Sequence, residues 1–208
     1  MDLSTIIGLV VGIVALVVGM VMKGVSLASL WNIAAILIII FGTAASVIIA
    51  FPMNELKRLP KLFGIIFKEQ KLASDADLIK MFSKWADVAR REGLLSLEAQ
   101  TDEIEDMFLK NGLGLAIDGQ NADYIRDVLT EEVEAMEERH SVGALIFSQA
   151  GTYAPTLGVL GAVVGLIAAL SDLNDIDALG FAVAAAFVAT LLGIFTGYVL
   201  WHPFANKL

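Results

Sequence analysis

An all-α integral membrane protein is the fold this sequence predicts, with four transmembrane helices and a helical cytoplasmic domain between the second and third. Three observations predict it. Of 208 residues, 57% are hydrophobic and only 18% are charged, and mean hydropathy is +0.75; a soluble domain is about half apolar and a quarter charged. The apolar residues gather in four nearly charge-free blocks: Thr5–Met22, Leu30–Phe51, Val142–Leu170 and Leu179–Trp201. Each reaches the ~18 residues that cross ~30 Å of hydrocarbon at ~1.5 Å per residue. Nearly all the charge lies between the second and third blocks, where no alternating strand pattern appears. The expected division is therefore 1–51 for the first two spans, 52–141 for the cytoplasmic domain and 142–208 for the last two spans.

The first block carries no basic leader and no small-x-small cleavage site, so it is read as a span and not as a cleaved signal. The second block ends at Phe51, where Lys57, Arg58 and Lys61 follow within two turns. Positive charge beside a span marks the cytoplasmic side. The connection Lys23–Ser29 holds a single lysine, and Ser171–Gly180 holds only acidic charge. The large block and both termini are thus expected in the cytoplasm, in a multi-pass protein of the cell membrane.

Within the polar block, Leu78, Met81, Phe82, Trp85 and Val88 recur at three- and four-residue steps, one face of a helix. Ser74 and Asp77 form a capping-box pattern before it. Ile125, Val128, Leu129, Val133 and Met136 mark a second face, and "KNGLGLAIDGQ", with three glycines, reads as a loop. These helices are too few for a large independent core and are expected to pack on each other and on neighbouring subunits. The acidic run "TEEVEAMEERH" reads as a solvated face, with a docking surface for a basic partner as the alternative.

Several classes are excluded. The chain has no cysteine, hence no disulfide or thiolate metal site, and two histidines, His140 and His202, make no His-rich metal site. A net charge of −9 argues against nucleic acid. No nucleophile–base pair, carboxylate dyad or phosphate loop supports an enzyme, and no cofactor is expected.

The third and fourth spans carry the informative residues. Ala185, Ala189, Gly193 and Gly197 form a ladder of small residues four apart; Gly158–Ala162 and Gly161–Gly165 repeat the spacing in the third span. Small residues let membrane helices approach closely. Packing within the chain is the ordinary reading, and a partner helix gripped between the two ladders is the alternative. The bulkier first two spans suit contact with lipid. Pro155 removes one helical hydrogen bond and frees a carbonyl near Gly151, which Ser148, Thr152 and Thr156 are placed to satisfy. It is a tolerated kink or a hinge. Thr190, in mid-span, bonds back to Ala186 or else lines a wet path. Pro203 marks the end of the fourth span, with Trp201 and His202 at headgroup level.

None of the four spans has an ionisable side chain near its middle. Ion translocators hold such groups there. This chain alone therefore relays no protons: it is either a passive membrane scaffold or part of a machine whose carboxylate another subunit supplies.

On "GMVMKGVSLASLWNIAAILIIIFGT", "WADVARREGLLSLEAQ", "LKNGLGLAIDGQ", "IRDVLTEEVEAMEERH", "QAGTYAPTLGVLGAVVGLIAAL" and "AAFVATLLGIFTGYVLWHPFANKL", the sequence resembles the MotA/PomA family of flagellar motor stator subunits, in its Bacillus-type branch. The resemblance covers essentially the whole chain. It implies a ring of five copies around two helices of a partner, MotB, which brings one aspartate per helix; a rotor protein, FliG, touched by the cytoplasmic block; and proton flow converted to torque. By position within ARREGLLSLE it implies Arg90 and Glu98 as the rotor-contact residues. Arg91 and Glu98, seven apart, share a face only if the helix runs unbroken through Gly93. The family's two functional prolines fall on Pro155 and Pro203, and its threonine near the ion falls on Thr190. Sodium-driven relatives have a threonine where this sequence has Ala162, so Ala162 favours protons. Family chains continue past the fourth span into a basic tail, whereas this sequence ends at "HPFANKL", so the net charge carries little weight. An energy transducer of the ExbB/TolQ kind is the rival reading; those relatives have three spans and lack ARREGLLSLE. A non-conducting scaffold is the third.

Overall fold

The computed structural model describes residues 3–68, 74–101, 104, 106–171 and 176–208. Among the described residues there is helix and no strand: α1 (Leu3–Met22), α2 (Ile33–Ala50), α3 (Met53–Leu56), α4 (Leu59–Phe67), α5 (Asp75–Glu92), α6 (Glu98–Thr101), α7 (Met107–Ile117), α8 (Ala122–Leu170), α9 (Ile176–Phe195) and α10 (His202–Ala205). Tight 3-10 turns occupy Leu27–Leu30 and Leu94–Leu97, and a wider π turn occupies Thr196–Trp201. Four segments are long and apolar enough to cross a membrane: Leu3–Met22, Leu27–Ala50, Ala122–Leu170 and Leu179–Ala205. Residues 172–175 of the acidic connection lie outside the described residues.

Two compact units emerge, Met1–Glu69 with His140–Leu208, and Gln70–Arg139. No break in α8 separates the acidic run from the third span; the helix is continuous over 49 residues.

In the first unit, α1 buries only Met20 and exposes Ile7, Val10, Val11, Val14 and Val18. α2 divides its faces: Ala35, Ile39, Thr43 and Val47, four residues apart, are buried, while Leu37, Ile40, Phe41, Ile48 and Ile49 are exposed. Asn32 starts α2. Its Oδ1 accepts from the Ala35 N–H at 3.1 Å, and its Nδ2 donates to the Ala185 carbonyl at 3.3 Å, which ties α2 to α9. Gly42 gives α2 room for Leu157.

Residues 53–67, grouped by their charge with the polar block, pack with the spans. Leu59, Leu62, Phe63, Ile66 and Phe67 put one apolar face of α4 onto buried Phe147 and Phe204. Their rings meet edge to face, Phe63 and Phe147 at 5.1 Å and Phe67 and Phe204 at 5.7 Å. Trp201 joins this cluster, its ring centroid 6.1 Å from that of Phe147. Pro203 lies two residues before the end of the fourth apolar segment, Leu179–Ala205. It sits in the first turn of α10, which the π turn before it enters without a break, the His202 N–H donating to the Gly197 carbonyl.

The second unit has a small core of Trp85, Leu97 and Leu113, with Met81, Val88, Ala89, Ile104 and Ile117 around it. The cap is as expected: Ser74 Oγ accepts from the Asp77 N–H and donates to its carboxylate at 2.7 Å. Phe82, expected inside, is half exposed and touches Trp85 edge-on at 5.2 Å. Val133 and Met136 are also exposed.

The expected loop "KNGLGLAIDGQ" is helical through Ile117. Asp106 caps α7, accepting from the Phe108 and Leu109 N–H groups. Gly112 is not a breaker; Leu129 packs against it so closely that an added methyl would sit 3.1 Å from its Cδ1. Only Gly119, at φ 76°, adopts the left-handed backbone that ends the segment.

Candidate functional site

The site is built where α8 and α9 run antiparallel. Neither helix has charge in its apolar stretch, so their approach is governed by side-chain size. A methyl added to Gly158 would lie 2.9 Å from both the Ala189 carbonyl oxygen and the Gly193 Cα; one added to Gly193 would lie 2.7 Å from the Ala154 carbonyl oxygen. Gly161 and Gly165 face the methyls of Ala189 and Ala186 at ordinary contact distance. The small-residue ladders therefore meet each other within the chain, which is the ordinary reading of the sequence. Ala185 stands apart from that seam, its carbonyl taken by Asn32.

The seam extends from Gly165 to Gly151. At Gly151 the His202 ring lies flat enough that an added methyl would come within 2.8 Å of Cδ2. His202 also stacks at a tilt on Tyr198, centroids 5.2 Å apart. Between these, Gly197 faces Pro155: a methyl there would meet the Pro155 ring and the Gly151 carbonyl oxygen, each at 2.7 Å.

Pro155 is thus half-buried inside α8, one edge of its ring against Gly197. The hydroxyls expected to serve the carbonyl it frees go elsewhere. Thr152 donates to the Ser148 carbonyl at 3.1 Å and Thr156 to that of Tyr153 at 2.7 Å. The Gly151 carbonyl instead faces the bare Cα of Gly197, because that glycine lets the backbones close before a hydroxyl can fold back.

Thr190 is half-buried and donates to the Ala186 carbonyl at 3.4 Å, the back-bond expected of it. It lies about two turns before Gly197, which sits in the π turn after α9, and projects to nearly the same side, since seven residues return a helix to nearly the same direction. Ala162, half-buried, lies two turns from Pro155 on α8 in the same way. With Pro155 opposite Gly197, the antiparallel register sets Ala162 at the level of Thr190, on the same edge of the seam. Thr152, Thr156, Val159 and Val163 are exposed on the face of α8 away from Gly158 and Gly161. Pro203 lies past the seam, exposed on the wall of a cleft of about 500 Å³ that Thr5 and Gly8 close on the other side.

Arg90 and Arg91 close α5, where cations complement the helix dipole. Gly93, at φ 90°, then ends the helix, and Glu98 begins α6 after a 3-10 turn. Arg91 and Glu98 therefore do not share a helix face: the left-handed glycine breaks the period between them. All three side chains are exposed, and none is ion-paired among the described residues.

Sequence reasoning missed Asn32 and Thr43, and the packing of His202 on Gly151. Asn32 carried a signal as the lone amide opening an apolar block. His202 carried one through Gly151, which lies seven residues before Gly158. Thr43 carried none; it is buried in α2, and its hydroxyl has no hydrogen-bond partner among the described residues. Among the described residues no group of three or more His, Asp or Glu is placed to hold a metal.

Comparison with known proteins bears on this arrangement. Residues 100–208 match the family model "MotA/TolQ/ExbB proton channel family", and residues 6–93 match "Motility protein A N-terminal". Motility protein A of Bacillus subtilis is 65% identical over 208 residues, all of this chain and 77% of that relative. Chemotaxis protein PomA of Vibrio alginolyticus is 35% identical over 208 residues, all of this chain and 81% of that one. Among solved structures, the flagellar MotAB stator complex from Bacillus subtilis superposes with a TM-score of 0.92 at 66% identity, covering 97% of this chain and 79% of the other.

Proposed function

This chain belongs to the MotA/TolQ/ExbB proton channel family, and from that premise we propose how it works as the stator subunit of a flagellar motor. A partner of the MotB kind supplies the membrane carboxylate. The observation that carries this is the pairing of a tight α8–α9 seam with four spans that hold no ionisable group at mid-depth.

Copies of this chain, five by analogy with the family, surround two partner helices. The exposed face of α8 bearing Thr152, Thr156, Val159 and Val163 is the surface offered to them. An ionised partner carboxylate beside this apolar wall carries a large desolvation cost, and protonation removes most of it. The ring steps as the charge is taken up and released. Thr190 and Ala162 flank the path on one edge of the seam, Thr190 contributing a side-chain hydroxyl. An alanine offers no oxygen to a dehydrated sodium ion, which favours the proton. Pro155 against Gly197 gives the wall its flexible point, and Pro203 positions the polar end of the fourth span. Arg90, Arg91 and Glu98, exposed on the second unit, hand torque to a rotor protein of the FliG kind. The second unit and both termini are cytoplasmic, in keeping with the basic residues after α2.

The test is complementation of a motile host lacking its own stator subunit, swimming being scored in sodium-free medium with and without a protonophore. Swimming without sodium that the protonophore abolishes is the expected result. Swimming that needs sodium overturns the proton assignment, and absence of swimming with normal membrane insertion overturns the stator mechanism.

A further inference from the structure

Between α2 and α4 lies a cavity of about 190 Å³ that the stator reading does not use. Its walls are Ile40, Thr43, Ala44 and Val47 of α2, Leu59 and Phe63 of α4, and the Phe147–Trp201 cluster, so the Thr43 hydroxyl is set among apolar side chains. Ile40 and Ala44 are exposed, so the cavity opens on the outer side of α2, beside exposed Phe41, Ile48 and Ile49. Along α2, Val47 to Ile40 is a run of ~10 Å leading away from the polar end of the bundle.

At that polar end the chain turns through Pro52 into a cationic corner. From Pro52 to Lys68 there are four cations, Lys57, Arg58, Lys61 and Lys68, and one carboxylate, Glu55. Glu55 pairs with Arg58 at 2.9 Å. Lys57, Lys61 and Lys68 are exposed and have no carboxylate partner among the described residues. Lys57 and Arg58 immediately precede Leu59, which lines the cavity, so cations and apolar groove lie end to end.

We propose that this corner is a binding site for an anionic phospholipid of the adjoining leaflet. The phosphate sits at Lys57 and Arg58, and one acyl chain lies in the groove from Val47 to Ile40. Charge complementarity selects the headgroup: juxtamembrane lysine and arginine attract anionic lipid strongly and zwitterionic lipid weakly. The groove selects an amphiphile over free phosphate, since an apolar wall gains only from a hydrocarbon chain. A second copy of this chain is disfavoured because the groove's polar end is cationic and would set like charges against each other in a pair of copies.

The test uses the full chain with its partner subunit, purified in mild detergent and examined by native mass spectrometry after addition of phosphatidylglycerol, phosphatidylcholine or inorganic phosphate. Expected is retention of phosphatidylglycerol through delipidation, with phosphatidylcholine retained about tenfold less and phosphate not at all. The double variant Lys57→Gln/Arg58→Gln removes the headgroup contacts, and Ala44→Phe fills the groove from an exposed position. Each is expected to lower phosphatidylglycerol retention about tenfold while leaving the complex assembled. Equal retention of the two lipids overturns the proposal, as does retention unchanged in both variants. Disulfide cross-linking between two chains through Ala44→Cys in the groove overturns it in favour of a second copy. None of these readouts depends on ion flux, so the stator mechanism stands or falls separately.

Discussion

Gly158 and Gly193 face each other across the α8–α9 seam, each leaving so little room that a methyl on either would lie within 2.9 Å of the other's Cα. Both contacts are to backbone, which has no rotamer to yield. Gly158→Ala or Gly193→Ala is therefore expected to push the helices apart at a cost of about 1–3 kcal/mol. Thermal unfolding of the detergent-solubilised complex measures it. A melting temperature equal to the parent's for both variants contradicts the close approach.

Pro155→Ala restores an N–H within α8, able to reach the Gly151 carbonyl now facing Gly197. Unfolding stability is expected to hold or rise, whereas swimming in the complemented host drops sharply. That opposition separates a flexible point from a merely tolerated kink, for which swimming stays at the parental speed.

Thr190→Ala removes only a long 3.4 Å back-bond in a half-buried position. Stability is expected to change by less than about 0.5 kcal/mol. Motility, by contrast, is expected to be lost, because Thr190 brings a hydroxyl to that level of the seam. Swim-plate diameter set against membrane protein level gives the answer; full swimming at normal expression refutes the assignment.

Thr43 is 4% exposed and its hydroxyl has no partner among the described residues. Thr43→Val keeps the shape and deletes the orphan, so the protein is expected to gain about 1 kcal/mol. A lower melting temperature contradicts this.

Arg90→Glu and Glu98→Lys reverse exposed charges that have no ion-pair partner among the described residues. Each is expected to leave stability within about 0.5 kcal/mol and to slow swimming. Tethered-cell rotation under load reads torque directly; undiminished torque in both variants removes these residues from the rotor contact.

The sequence by itself determined the membrane class, the four spans and the small-residue ladders. Length and the absence of charge decide whether a segment enters hydrocarbon, and both are properties of a continuous stretch of chain. It also placed Ser74 and Thr190, because their partners lie within four residues. What lay beyond it depended on partners distant in the chain. The 53–67 segment was grouped with polar residues for its charge, and only contact with Phe147 and Phe204 shows which of its faces wins. "KNGLGLAIDGQ" looked broken because glycine signals a turn when nothing packs on it; Leu129 packs on Gly112, and the helix holds. The close pairing of Pro155 with Gly197, and the level shared by Ala162 and Thr190, required a register between antiparallel helices. That register is set by which backbone atoms can touch, and only the tertiary structure decided it.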